Sequence, residues 1–225
     1  SAGCGNFSNQ IPNCLAYDIN PTTEGIQQAD WLTLDKTFLS KGHSLVIGNP
    51  PFGEQGKKAV EFFNSCSNAN TIAFILPLSF RKPSIQNRLD AFFWLTDELD
   101  LSEAYFLLEG QKIKVPCTFQ IWEKRTEKRP KKKGKTITPY LDFVSPSQAD
   151  FRIQRVGGNA GRADTDLSKA VSSNYFVKNK TVLSNQELID LINSLCFPTI
   201  AFTVGPKSLS KTELIEVLEE TLSKI

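Results

Sequence analysis

The alternation of apolar and polar residues along the first half of the chain predicts strands separated by helices. The run at 71–76 is nearly all apolar, as expected for a central parallel strand that is covered on both faces. Residues 55–67 carry apolar side chains at helical spacing, and residues 83–95 are predicted as a second helix. The runs predicted as strands are 14–18, 44–48, 71–76 and 104–108. Strands alternating with helices predict an α/β protein with a doubly wound, mostly parallel sheet.

The pattern changes towards β-structure after the last of these runs. Residues 115–122 and 136–144 alternate in the manner of strands, which adds an antiparallel end to the predicted sheet. Residues 184–195 are predicted as a helix, and Ser210 and Glu213 have the spacing of a capping box that opens a last helix. The predicted divisions are a first domain, a basic loop and a small C-terminal α+β appendage at 1–124, 125–135 and 136–225.

Charge is distributed unevenly along the chain. The net charge is +2, but residues 1–110 carry −5, residues 111–162 carry +9, and residues 163–225 carry −2. A basic block between two mildly acidic ones suggests a polyanion partner at one face. For the run 124–135 alone, a solvated lysine-rich loop is an equal alternative.

Composition argues against a membrane protein and against a metal site. No run approaches the roughly 20 apolar residues needed to span a bilayer, so we expect no membrane partner. The five cysteines are odd in number and widely spaced, which indicates reduced thiols and a cytoplasmic location. With His43 as the single histidine and no close cysteine pair, we expect no metal.

The most informative segment is Asn49-Pro50-Pro51-Phe52, which follows the predicted strand 44–48. Two consecutive prolines fix φ and remove two amide donors, so the chain is stiff and leaves the strand ladder here. The side-chain oxygen of Asn49 and the carbonyl oxygen of Pro50 can accept both hydrogens of a planar amine, and Phe52 can stack on its ring. A proline-rich turn without a ligand is the simpler alternative for this segment taken alone.

Three further segments predict a nucleotide-like ligand beside this turn. A loop near the start has two glycines that permit close approach of the backbone to a ligand, although a lone Gly-x-Gly is more often only a turn. Asp18, at the end of the next predicted strand, can accept both hydroxyls of a ribose, and it can equally cap the following segment. Asp30 can accept from an adenine amine, with Trp31 packed nearby. The loop residues are Ala2, Gly3, Cys4, Gly5, Asn6 and Phe7.

Taken together, these segments make the sequence similar to the S-adenosylmethionine-dependent amino methyltransferases. The resemblance is to the adenine-N6 group with Asn-Pro-Pro-Phe, found in modification subunits of restriction systems and in related phage enzymes. It covers roughly residues 2–123, where 75–80 and 115–119 match later segments of the family. It implies a class I methyltransferase fold, with the methionine part of the cofactor at the first loop, its ribose at Asp18 and its adenine at Asp30. It also implies methylation of adenine N6 in DNA, in preference to RNA.

Within this hypothesis, the basic residues become contacts to nucleic-acid phosphates. Arg81 and Lys82 are predicted near the edge of the sheet that carries the site. Arg152, Arg155 and Arg162 surround a glycine-rich loop and are predicted closer to the base. The candidates in the basic run are Lys124, Arg125, Lys128, Arg129, Lys131, Lys132, Lys133 and Lys135.

The sequence departs from the family at its start, because residue 1 falls inside the first loop. We therefore expect a truncated chain that lacks the first strand and binds the cofactor weakly or not at all. No long C-terminal specificity domain follows, so we expect either that a specificity subunit or an oligomer partner supplies sequence recognition, or that sequence specificity is low. The alternatives left open are methylation of cytosine N4, RNA adenine or a protein glutamine, and a catalytically silent nucleic-acid-binding fragment of this fold.

Overall fold

A computed structural model of the chain describes residues 5–101, 103–108, 110–202 and 206–224. Ala2, Gly3 and Cys4 of the predicted loop lie outside the described residues. The chain divides into two compact units, Ser1–Lys132 and Lys133–Ile225, each with its own apolar core. The basic run is therefore divided between the two units.

The described part of the first unit contains eight strands and two α-helices. The strands are β1 Tyr17–Asp18, β2 Gln27–Gln28, β3 Leu45–Gly48, β4 Thr71–Pro77, β5 Phe93–Leu101, β6 Tyr105–Leu108, β7 Gln111–Lys114 and β8 Cys117–Lys124. The helices are α1 Lys57–Asn64 and α2 Pro83–Gln86. All five runs predicted as strands in this unit are present, 115–122 as β8, although the first is reduced to the two residues of β1.

The sheets of the first unit are small, and their pairing is mixed. One sheet has the order β3-β4-β8-β5, in which β3 and β4 are parallel and β8 runs antiparallel to β4 and β5. β1 and β2 form a separate parallel pair, and β6 and β7 form an antiparallel hairpin. After that hairpin the chain continues into β8, which pairs with β5 in the antiparallel direction. An antiparallel neighbour does not need the long crossover connection that a parallel one would need. The unit is mixed α/β, and the predicted doubly wound, mostly parallel sheet is not shown.

The helix predicted over 83–95 is wrong beyond its first turn. α2 ends at Gln86, and the chain is extended in β5 from Phe93 onwards. Between them, the side chain of Asp90 accepts a hydrogen bond from the Phe92 amide at 3.0 Å and so forms a turn. Aromatic residues fit a pleated, half-buried surface, and Phe93 becomes fully buried where β5 pairs with β8. Tertiary pairing therefore overrides the apolar spacing.

The core of the first unit forms around α1 and the four-stranded sheet. The predicted apolar stripe of α1 is confirmed, since all four residues are buried, namely Ala59, Val60, Phe62 and Phe63. Phe63 meets Trp122 of β8 edge-on, with ring centroids 5.3 Å apart. α1 begins after Gly56, whose φ of +73° lies in the left-handed region that favours glycine. α1 therefore begins shortly after the Asn-Pro-Pro-Phe turn in the sequence.

The second unit is an antiparallel sheet packed with two helices. Its elements are β9 Leu141–Phe143, β10 Phe151–Gln154, β11 Ala163–Asp164, β12 Asn174–Asn179, α3 Asn185–Ser194 and α4 Lys211–Leu222. The strand order is β11-β10-β12-β9, and Leu188 of α3 and Leu214 of α4 are fully buried in the same cluster as Phe151. Of the strand predicted over 136–144, only β9 is present, and β12 has no counterpart among the predicted strands. None of the helices in the described ranges of either unit is long and apolar enough to cross a membrane.

The predicted capping box at Ser210 is only half formed. The Ser210 hydroxyl accepts a hydrogen bond from the Glu213 amide at 3.2 Å and caps α4. The Glu213 carboxylate does not return the bond, because it accepts from the Thr199 amide at 2.8 Å and from the Thr199 hydroxyl. A complete box forms instead at α3, where Ser184 and Glu187 cap each other's amides.

Candidate functional site

A cavity of about 630 Å³ opens at the carboxyl end of β3. Its walls come from the turns after β1, β2 and β3 of the first unit, with further residues from α1, from the β6–β7 hairpin and from just before β8. The predicted site residues that line it are Asp18, Asp30, Trp31, Asn49, Pro50, Pro51 and Phe52. The structure therefore brings together the acids, the ring and the Asn-Pro-Pro-Phe turn that the sequence singled out.

Asn49 carries an unpaired acceptor at the wall of this cavity. β3 ends at Gly48 as the prolines require, and Pro50 is buried while Pro51 is exposed. Within the part of the chain that the structure describes, Asn49 Oδ1 is buried and has no hydrogen-bond partner. An unpaired buried acceptor costs about 1–3 kcal/mol. Its position is therefore suited to a donor that a ligand brings.

Phe52 faces a second aromatic ring across the cavity. Phe106 of the β6–β7 hairpin meets it edge-on, with ring centroids 5.9 Å apart. Phe106 is half-buried, while its neighbours Tyr105 and Leu107 are 60% and 72% exposed, so alternation along β6 turns this one ring inwards. Sequence reasoning missed Phe106, and the alternation of the hairpin is the only signal that points to it. Because the two ring planes are nearly perpendicular, at 80°, a planar ligand ring could stack on the face of one and meet the other edge-on.

The two acids of the cavity each close a local turn. Asp18 Oδ1 accepts from the Asn20 amide and Asp30 Oδ1 from the Leu32 amide, both at 2.9 Å. The parallel register of β1 and β2 sets Asp18 opposite Gln28, two residues before Asp30, which places both acids at one edge. The turn-capping role expected as an alternative for Asp18 is thus present, and Asp18 is also 8% exposed at the cavity wall.

Aromatic packing holds Trp31 at the cavity. Its ring lies 6.3 Å from Tyr17 between centroids, and the Lys36 ammonium lies 5.2 Å from its centre.

The described part of the first loop does not line this cavity. Gly5 has a φ of +80°, and its carbonyl accepts from the Asn9 amide at 2.8 Å, while the Asn6 carbonyl accepts from Gln10. Phe7 lines a neighbouring cavity of about 700 Å³. Tyr17, Trp31 and Phe62 line both cavities, so the two spaces adjoin.

Arg81, predicted as a phosphate contact, is engaged by two carboxylates. Its Nε donates to Glu98, and its Nη1 donates to Asp100 at 2.7 Å. Thr118 also donates to Glu98, at 2.7 Å. A phosphate would have to compete with both acids, so the structure gives Arg81 a role in joining the turn after β4 to β5. Lys82 precedes α2 and bonds through its amide to the Ser79 carbonyl at 3.0 Å.

We expect this network to make the first unit less stable in acid. Partial burial raises the pKa of Glu98, whereas hydrogen bonds from Arg81 and Thr118 together lower it by more, and the net pKa lies below its ordinary value. A carboxyl whose folded pKa is depressed contributes stability above its unfolded pKa of about 4.3, and this is lost as the pH falls through the folded value. Urea midpoints measured from pH 6 down to pH 3 should therefore fall less steeply for Glu98→Gln than for the wild type. Glu61→Gln, on the exposed side of α1, should follow the wild-type slope; equal slopes for all three proteins would contradict this role of Glu98.

The first part of the basic run is hydrogen-bonded to the first unit. Up to Lys132 it lies in the first unit, along the start of β5, and Arg129 is half-buried there while the other cations are exposed. In the second unit, Lys133 is exposed and Lys135 pairs with Glu219 of α4. The two parts of the run therefore have different surroundings.

The three arginines of the second unit differ in accessibility. Arg152 is only 6% exposed and donates to Asn174 and Asp164, so it joins β10 to β12 and β11 and presents little surface to a phosphate. Arg155 donates to the Ser172 carbonyl at 2.9 Å and lies over the Tyr175 ring. Arg162 is exposed and donates to a carbonyl of α3 at 3.3 Å.

The buried thiols of the first unit are not activated as nucleophiles. Burial raises the pKa of Cys66 and of Cys117 to about 11, so both thiols are protonated at neutral pH. Among the described residues, no group of three or more His, Cys, Asp or Glu side chains could hold a metal ion. The arrangement supports binding and positioning of a ligand.

No protein-family model, curated protein or solved structure matches this chain. The functional inference therefore rests on the residues and the geometry of the cavity.

Proposed function

We propose that this chain transfers a methyl group from S-adenosylmethionine to the exocyclic N6 amine of adenine in DNA. The observation that carries the proposal is Asn49 Oδ1, a buried acceptor without a donor at the wall of a cavity. Pro50, Phe52 and Phe106 line the same cavity, so further acceptors and aromatic faces surround this oxygen. Such a set fits a flat ring that bears an amine.

The proposed chemistry requires positioning rather than a nucleophile on the protein. The lone pair of an aromatic amine is delocalised into its ring, which makes the nitrogen a poor nucleophile. Asn49 Oδ1 and the Pro50 carbonyl would accept the two amine hydrogens, favour a pyramidal nitrogen and aim its lone pair at the methyl group. Transfer would form a nitrogen–carbon bond as the sulfonium's sulfur–carbon bond breaks and leaves a neutral thioether, and the methylated nitrogen would release one proton to water. Orientation and acceptors aimed at developing positive charge are the main contributions of the protein.

The residues of the cavity fit the cofactor that this chemistry needs. S-adenosylmethionine supplies an activated methyl group when bound. A ribose diol would bind the Asp18 carboxylate, and an adenine amine would donate to Asp30 beside the Trp31 ring. The methionine portion would extend into the adjoining space lined by Phe7. The target base, flipped from a duplex, would enter from the side of Phe52 and Phe106.

The strand arrangement supports a class I methyltransferase fold for the first unit. Both parallel pairs, β1–β2 and β3–β4, carry the acids and the Asn-Pro-Pro-Phe turn at their carboxyl ends. Ligands of open α/β sheets bind beyond the carboxyl ends of parallel strands. β8, which is antiparallel to β4 and β5, corresponds to the antiparallel end of that fold.

Transfer of radiolabelled methyl from S-adenosylmethionine to DNA tests the proposal directly. We expect label in DNA, and mass analysis of the digested nucleosides should identify N6-methyladenosine in its deoxy form. Label in cytosine, RNA or a glutamine-containing peptide would select a different acceptor for the same site. Binding of DNA without transfer to any acceptor would favour a silent nucleic-acid-binding domain instead.

We expect Asp18→Ala to weaken cofactor binding more than a matched control does. A hydrogen bond to a charged group contributes about 1.5–3 kcal/mol, so losing the diol contacts should raise the Kd about 10- to 100-fold in calorimetric titration. Asp35→Ala is the matched control, because Asp35 caps a similar turn through the Thr37 amide at 3.0 Å but does not line the cavity. An equal effect of both substitutions would mean that Asp18 serves only its turn.

A further inference from the structure

Residues 124–132, named here the basic strap, are pinned along the start of β5. The Arg125 amide donates to the Phe92 carbonyl at 2.8 Å, and the Arg129 amide donates to the Ala91 carbonyl at 2.6 Å. Asn87 fixes the far end, since its side chain donates to the Lys132 carbonyl at 2.9 Å and accepts from the Lys132 amide at 3.0 Å. The strap is thus an ordered part of the first unit.

Arg129 attaches the strap to the rest of the first unit through its side-chain donors. Its Nε donates to the Phe93 carbonyl at 3.0 Å, and its Nη2 donates to the Gln86 carbonyl at 2.8 Å. Its guanidinium also lies 5.4 Å from the centre of the buried Trp122 ring. Burial lowers the pKa of Arg129. This arginine therefore holds the backbone that presents the other cations.

The remaining cations of the strap are exposed, and none forms an ion pair with a described residue. Arg125 lies over the Trp94 ring at 4.9 Å, and Lys128 lies over the Phe92 ring at 5.4 Å. The Trp94 indole in turn donates to the Glu127 carbonyl at 3.0 Å, which fixes the ring. Cations held on aromatic rings keep their charge in a defined place without neutralisation by a carboxylate.

The basic strap lies at the opposite end of the sheet from the cavity. β8 joins the two places: Val115, just before it, lines the cavity, and Lys124, its last residue, begins the strap. Eight residues of extended chain at about 3.3 Å each give a separation of about 25 Å. The cations therefore lie too far away to contact the phosphates next to a base in the cavity.

We propose that the basic strap is a separate binding site for the phosphate backbone of a nucleic acid. Arg125 and Lys128 are held on aromatic rings, and the exposed cations of the strap form no ion pair with a described residue, so their charge is available to phosphates. The strap has no apolar side chain besides Pro130, and its rings are covered by cations, which disfavours insertion into a membrane surface. This site does not depend on the methyl-transfer proposal.

The separation predicts how one nucleic acid would use both places. A distance of about 25 Å corresponds to about seven base pairs of duplex at 3.4 Å per pair. A duplex shorter than this would reach either the cavity or the strap, whereas a longer one would reach both.

Charge reversal of the two ring-held cations tests the site. We expect Arg125→Glu with Lys128→Glu to weaken binding of a labelled duplex longer than about ten base pairs by at least tenfold, and to lower the slope of log K against log salt by about two. Fluorescence anisotropy over a salt series measures both quantities. Arg125→Gln with Lys128→Gln should change them in the same direction by less, and thermal melting should show that both double variants are folded.

The control reverses two exposed lysines of the second unit, Lys169→Glu with Lys178→Glu, of which Lys169 pairs with Asp166. This variant should stay within about twofold of the wild type, since contacts outside a phosphate site add little. Unchanged duplex affinity of the Arg125/Lys128 variants would overturn the inference, as would a loss confined to phosphatidylserine vesicles or polyglutamate.

Discussion

Asn49→Ala is expected to lower the rate of methyl transfer about 10³-fold, because it removes the side-chain acceptor that orients the amine. The cavity and its acids remain, so the Kd for S-adenosylmethionine should change by less than about threefold in calorimetric titration. Single-turnover transfer measured with saturating cofactor separates the chemical step from binding. The loss should therefore appear in kcat.

The same substitution should not destabilise the protein, which separates a functional Asn49 from a structural one. Its Oδ1 has no partner among the described residues, so truncation removes an unsatisfied buried acceptor and should leave the free energy of unfolding equal or higher by about 1 kcal/mol. Asn64→Ala is the matched control. The Asn64 side chain donates to the Arg88 carbonyl at 3.0 Å and accepts from the Asp90 amide at 2.8 Å. It should lose stability by about 1–2 kcal/mol and keep kcat; wild-type transfer by Asn49→Ala would exclude the proposed role.

Phe63→Ala is expected to destabilise the first unit by about 4 kcal/mol. Phe63 is fully buried in α1, and its ring meets Phe74, Phe93 and Trp122 edge-on at 6.5, 5.7 and 5.3 Å between centroids. Truncation therefore leaves a cavity between the helix and three strands of the sheet. The Asn-Pro-Pro-Phe turn leads into this helix, so the site should be lost with the fold.

Urea unfolding followed by tryptophan fluorescence measures this effect in the first unit alone, because all three tryptophans lie in it. With a slope of about 2 kcal/mol per molar urea, the midpoint should fall by about 2 M. Leu99→Ala, at a residue that is 61% exposed, should shift the free energy of unfolding by less than about 0.5 kcal/mol. A shift of that small size for Phe63→Ala would show that α1 is not part of the core.

Local elements were predictable where one short segment contains the whole physical cause. The stripe on α1, the end of β3 at two prolines and the cap at Ser210 depend on residues within a few positions of each other. The helix predicted over 83–95 failed, because strand pairing with β8, distant along the chain, decides the state of Phe93. The second half of the predicted capping box failed for the same reason, since Thr199 competes for Glu213.

The sequence by itself determined which residues could form the site: the Asn-Pro-Pro-Phe turn, Asp18, Asp30 and Trp31 were all identified from residue type and from their places after apolar runs. Only the tertiary structure decided which of them meet and what else joins them. In the structure, Phe106 lies against Phe52, and Arg81 pairs with two acids. The basic strap lies about 25 Å from the cavity. The reason is that strand order and register set the distances between residues far apart in the chain, and a short segment read alone does not show which distant strand it will pair with.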